Sequence, residues 1–151
     1  IAKQRPDWQV VLVGPEDEDF KASELHHIEN VHFLGPKKME ELPQYLMAFD
    51  VALNPQKLNE VTIGNYPRKI DEYLAMGKPT VATRTVAMEV FENYTYLAES
   101  KEKYVELIEI ALEENTPEKE KEREAFARGH TWTNNVKEIY KKITFLLQQP
   151  K

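Results

Sequence analysis

Tyr66-Pro67-Arg68-Lys69-Ile70-Asp71-Glu72-Tyr73-Leu74-Ala75-Met76-Gly77-Lys78-Pro79-Thr80-Val81-Ala82-Thr83 reads as a loop, a short helix and then a buried strand. Pro67 opens the helix and Gly77 closes it, which matches the asymmetry of helix ends. Thr80–Thr83 is short and apolar without alternation, the pattern of a strand covered on both faces. A helix followed at once by such a strand is one step of a parallel α/β sheet.

The same step recurs along the chain. Val10–Val13, Val31–Leu34, Val51–Leu53 and Tyr94–Ala98 are further strand candidates. Between them, Met39–Phe49 carries Leu42, Leu46 and Phe49 on one stripe. Residues 101–114 set Tyr104, Val105, Ile108, Ala111 and Leu112 at amphipathic spacing. A polar helix is expected from Pro117 to about Gly129, and a last one from about Asn134 with Val136, Ile139, Tyr140, Ile143 and Leu147 on one side. The alternation predicts one α/β domain over residues 1–151, a three-layer, doubly wound parallel sheet of about five strands. Residues 1–8 read as a helix end and a turn, so the strand and phosphate-facing loop that normally begin such a domain are not seen. The expectation is a truncated part of a longer, two-domain protein. Its absent strand belongs between those at Val10 and Val51; either these neighbours close up or another copy supplies the edge.

Composition narrows the function. Of 151 residues, 41% are hydrophobic and 30% charged, as in a folded globular chain. With no cysteine, disulfides and thiolate metal sites are excluded, and a reducing, cytoplasmic setting is expected. The net charge of −6 disfavours a nucleic-acid partner. The mixed-sign run Glu118–Glu124 reads as a solvated helix face. His26, His27, His32 and His130 lack metal-ligand spacing, so no metal is expected.

Candidate binding residues gather on one edge. Ligands of doubly wound sheets bind beyond the carboxyl ends of the strands. Gly14 and Gly35 follow the first two strands, and Gly64 lies in the loop Asn54–Tyr66, which is longer than a usual strand-to-helix connection. Lys69 and Glu72 share a face near a helix start. A cation with free backbone amides suits a diphosphate, and a carboxylate suits paired ribose hydroxyls. The simpler reading is an exposed ion pair contributing about 0.3 kcal/mol. Thr62, Asn65 and Tyr66 belong to the loop facing that ligand. Arg68 is expected to pair with Glu72 at i,i+4 and is a further candidate for phosphate contact, Lys78 to complement the C-terminus of the helix it follows, and Trp8 and Trp132 to pack near the domain ends.

These stretches, with Arg5–Pro15, Val31–Gly35, Asp50–Pro55 and Phe126–Thr133, resemble the C-terminal donor-binding domain of B-type glycosyltransferases, nearest to the retaining enzymes of glycosyltransferase family 4. The resemblance covers nearly the whole chain. It implies a Rossmann-like fold and transfer of a sugar from a nucleoside diphosphate, UDP- or GDP-linked, to an acceptor hydroxyl in surface polysaccharide assembly. The nucleotide sugar is a substrate, and no cofactor is implied. Glu72 matches the second glutamate of the family's Glu-x7-Glu motif and would accept from both ribose hydroxyls. Lys69 falls where related enzymes set a cation against the diphosphate. The loop through Pro36 and Lys37 would receive the base, and Gly14 would let backbone approach phosphate or sugar. One departure stands out: Gly64 occupies the first glutamate's position, with Glu60 nearby. An N-terminal acceptor domain is the implied partner, and the whole protein would sit at the inner membrane face. The alternative is a non-catalytic nucleotide-binding or regulatory module of Rossmann- or flavodoxin-like fold.

Overall fold

A computed structural model describes residues 1–60 and 62–148. Five parallel strands alternate with helices: β1 (Val10–Leu12), α1 (Glu18–Lys21), β2 (Val31–Phe33), α2 (Leu42–Met47), β3 (Ala52–Asn54), α3 (Arg68–Ala75), β4 (Thr80–Thr83), β5 (Tyr96–Ala98), α4 (Lys103–Glu113), α5 (Pro117–Gly129) and α6 (Trp132–Leu147). Two 3-10 turns, Glu24–His27 and Val86–Phe91, complete the order. The fold is α/β and Rossmann-like.

The strands form two sheets rather than the single one expected. β1 pairs with β2, while β3, β4 and β5 pair in that order, all parallel. The strands at Val10 and Val51 therefore have not closed up. β1 consequently has only one neighbour, and its apolar run Val10-Val11-Leu12 is half-buried instead of buried.

The three-stranded sheet is the middle of a layered core, and the period of two along each strand divides its faces. Ala82 and Leu97 face Ile70 and Leu74 of α3, Ala127 of α5, and Met88 and Phe91 of the second 3-10 turn. Val81 and Ala98 face Tyr104, Ile108 and Ala111 of α4, joined by Ile1 and Trp8 of the N-terminal segment. Ile70, Leu74 and Phe91 are fully buried, each contributing about 1.5–3 kcal/mol of apolar burial. Buried Asn30 holds the N-terminal turn, its Nδ2 donating to the carbonyls of Ala2, Arg5 and Trp8 at 3.1, 3.1 and 2.8 Å.

Helix boundaries follow local chemistry. α2 is shorter than Met39–Phe49 because Pro43 falls in its first turn and cannot continue a helix from Met39. α3 ends in a Schellman motif, with Gly77 N–H on the Leu74 carbonyl at 2.9 Å and Lys78 N–H on that of Tyr73 at 3.0 Å. Gly77 has φ +68°, the left-handed conformation this cap requires. α6 begins before Asn134, because Thr131 caps it by accepting from the Asn134 N–H. α6 buries none of its residues. No helix among the described residues is long and apolar enough to cross a membrane.

Candidate functional site

The carboxyl ends of the strands carry the candidate residues. Gly14, after β1, donates its N–H to the Gly35 carbonyl after β2 at 3.1 Å, so the two glycines form one turn surface. Gly35 has φ +66°, and a Cβ built on either glycine would meet nothing within 4 Å. Backbone is thus open to a ligand there. Lys37, further along the second loop, holds its ammonium 5.4 Å from the Tyr45 ring centre.

The described residues of the loop between β3 and α3 are held by polar atoms of their own and of β4 and α4. At its start the Gln56 N–H donates to Thr83 Oγ1 at 2.9 Å, and the Thr83 and Tyr104 hydroxyls share a 2.6 Å hydrogen bond. Burial raises the Tyr104 pKa, so its hydroxyl stays protonated and also donates to the Asn54 carbonyl at 3.3 Å. In the middle, Thr62 Oγ1 donates to the Lys57 carbonyl at 2.5 Å, and Thr62 N–H to Asn59 Oδ1 at 2.9 Å. The Thr62 hydroxyl is therefore engaged inside the loop. The Asn65 N–H closes the turn on the Thr62 carbonyl at 3.1 Å. Gly64 is exposed, with nothing within 4 Å of a built Cβ.

At the far end Tyr66 meets α3. Its hydroxyl donates to Asp71 Oδ2 at 2.9 Å, and its ring lies 5.6 Å from that of Phe91. Burial, then the bond to Asp71 and that carboxylate's charge, push the phenol well above the usual tyrosine range. The other Asp71 oxygen, Oδ1, lies 3.1 Å from Nδ1 of His130 at the end of α5. Pro67 precedes α3, and no side chain caps its start.

Lys69 and Glu72 both stand exposed on this first stretch of α3. Among the described residues neither forms an ion pair or a side-chain hydrogen bond, with each other or with anything else. The exposed ion pair that would explain them structurally is not formed. Arg68 corrects a second expectation: it does not pair with Glu72, and its guanidinium lies 5.8 Å from the Trp132 ring. Trp132 itself is 72% exposed, so it does not pack as expected, because α6 stands off the core. Trp8 does pack, under the Arg5 guanidinium at 4.1 Å. Lys78 donates to the Met47 carbonyl at 2.7 Å, so its ammonium meets the end of α2 rather than that of α3, the helix it follows.

Among the described residues no group of three His, Asp or Glu side chains could hold a metal ion. The pairing of Asp71 with His130, 59 residues apart, has no local sequence signal.

The α/β, Rossmann-like fold is that of a glycosyltransferase domain. Residues 1–114 match the family described as "Glycosyl transferases group 1", and the chain belongs to it. It is 32% identical over 147 residues to the "Putative teichuronic acid biosynthesis glycosyltransferase TuaH" of Bacillus subtilis (strain 168). That match covers 93% of this chain but 37% of TuaH, so the chain spans little more than a third of its relative's length.

Proposed function

We propose that this chain is the donor-binding part of a glycosyltransferase that takes a nucleoside-diphosphate sugar, UDP- or GDP-linked, in the assembly of a cell-surface polysaccharide. The observation that carries the reading is the unpaired Lys69 and Glu72 one turn apart at the start of α3, beside an open glycine edge. Lys69 would neutralise the diphosphate, and Glu72 would accept from the ribose hydroxyls. The teichuronic acid role in the name of TuaH supports the polysaccharide setting.

In the transfer, the bond between the sugar's anomeric carbon and the diphosphate oxygen breaks, and its electron pair leaves with the nucleoside diphosphate. The acceptor hydroxyl oxygen would bond to that carbon, and its proton would pass to the departing diphosphate. Lys69 and the backbone around Gly64–Arg68 would stabilise the charge growing on the leaving diphosphate. The acceptor would be held by polypeptide beyond these residues, consistent with the 37% coverage of TuaH.

Titration with UDP, GDP and ADP tests the reading. One of them binds saturably, and Lys69→Ala and Glu72→Ala each weaken it. Absence of binding, or binding indifferent to both substitutions, rules the reading out. A second reading, a non-catalytic nucleotide-binding module, is favoured by Gly64 standing where a sugar-reading glutamate is expected. Nucleotide binding without release of nucleoside diphosphate from any sugar donor, in the protein carrying both halves, would select it.

A further inference from the structure

The two ends of the loop between β3 and α3 are anchored differently, and the α3 end depends on a residue far away in sequence. Asp71 divides its carboxylate between Tyr66, the last residue before Pro67, and His130, the residue that ends α5. An ionised carboxylate only accepts, so the His130 Nδ1 must carry the proton it shares. Phe91, fully buried, lies under both rings at 5.6 Å from Tyr66 and 5.9 Å from His130. Phe126 packs against both rings, its centre 4.2 Å from that of His130 and 6.0 Å from that of Phe91. Asp71 and His130 side chains are each only 23% exposed, whereas Lys69 and Glu72 are exposed.

From this geometry we infer that Tyr66, Asp71 and His130 form a positioning clamp. It sets where the loop lies relative to Lys69 and Glu72, and so it governs nucleotide affinity without its members needing to touch the nucleotide. The inference rests on the donor-site reading above. Asp71 precedes Glu72 on the helix and points toward the loop and α5. The turn between α5 and α6 thereby becomes part of the site's support. Arg68 over Trp132 adds a second contact between the same two places.

The clamp can be separated from the site it serves. Tyr66→Phe deletes one hydroxyl on a residue 45% exposed, so the variant folds. His130→Ala deletes the other partner, and His130→Asn returns an N–H near the Nδ1 position. Two readouts are taken on the 151-residue chain: amide hydrogen exchange of residues 56–60 and 62–66, and affinity for UDP and GDP. Tyr66→Phe and His130→Ala should speed exchange in the loop and weaken nucleotide about fivefold each, the scale of one hydrogen bond. His130→Asn should recover both. Unchanged loop exchange in both variants overturns the clamp. Faster exchange with unchanged affinity, while Lys69→Ala and Glu72→Ala still weaken binding, overturns its role in the site but leaves the donor-site reading standing. If the native chain binds neither nucleotide, the donor-site reading has failed and the positioning role falls with it.

Discussion

Arg123 Nε donates to the carbonyl oxygen of Gly77 at 2.8 Å, tying the middle of α5 to the residue that ends α3. Arg123 is 4% exposed, and its Nη2 donates to Asn115 Oδ1. A buried guanidinium satisfied by a backbone carbonyl and an amide oxygen, with no carboxylate bonded to it, is held by geometry more than by charge. Arg123→Ala leaves the Gly77 carbonyl without its donor and removes packing between the helices. A loss of about 2–3 kcal/mol is expected from urea unfolding, and Arg123→Lys should recover little because an ammonium cannot reproduce the planar fork.

Gly77 adds a second test at the same junction. Its φ of +68° strains any residue with a Cβ, and that Cβ would lie 3.2 Å from Glu120 Cβ and 3.4 Å from the Glu120 carbonyl oxygen. Both neighbours belong to α5, so the crowding cannot be relieved by turning a flexible side-chain tip. Gly77→Ala should cost about 1–3 kcal/mol and lower the thermal midpoint. An unchanged midpoint would mean that α3 and α5 part more easily than this packing implies.

These two residues illustrate what sequence reading could reach. Gly77 was legible, because a glycine after an apolar helical stretch and before Lys78-Pro79 marks a helix end through local chemistry alone. The five strands were legible for a similar reason, although their ends moved where turn bonds took over: the Tyr94 N–H and Thr95 hydroxyl both bond the Phe91 carbonyl, and β5 starts only at Tyr96. Arg123 was not legible, since in the run Glu118–Glu124 nothing separates the one buried charge from its solvated neighbours. The split into two sheets was hidden too. It depends on what lies beside β1 and β3, and no local pattern within either strand records that. At the candidate site, Lys69 and Glu72 were proposed from their spacing, whereas Asp71–His130 is a tertiary pairing that spacing does not show.

Tyrosine protonation sets an alkaline limit to stability. Burial, the largest cause in each case, raises the pKa of Tyr66, Tyr73, Tyr96 and Tyr104. The folded state therefore holds these protons more tightly than the unfolded chain does. Their contribution is fully present below the unfolded tyrosine value of about 10 and is lost as pH rises from there toward the folded values. The urea midpoint should hold between pH 7 and 9 and fall from about pH 10. Tyr66→Phe should make that fall shallower, because the phenol bonded to Asp71 no longer contributes to it.

α6 should be separable from the stability of the core. Ile139 and Ile143 are 57% and 46% exposed on its apolar stripe, while Ile70 on α3 is fully buried. Ile139→Asn and Ile143→Asn should each change unfolding free energy by about 0.5 kcal/mol or less. Ile70→Ala should cost about 2–5 kcal/mol through lost burial and the cavity it leaves. Equal losses at all three positions would place α6 against the core in solution.

Ribose recognition separates the two bets at the donor site. If Glu72 accepts from both ribose hydroxyls, removing one hydroxyl from the nucleotide removes one charge-assisted hydrogen bond and leaves the diphosphate untouched. UDP should then bind about 10-fold more tightly than 2′-deoxy-UDP, or GDP than 2′-deoxy-GDP, whichever base the chain takes. Glu72→Ala should erase that preference, because its own loss and the nucleotide's loss concern the same contact. Lys69→Ala should weaken ribo- and deoxyribonucleotides alike and flatten the dependence of affinity on salt, since its part is charge on the diphosphate. A ribose preference that survives Glu72→Ala would move the ribose contact to another residue, even with Lys69 behaving as expected.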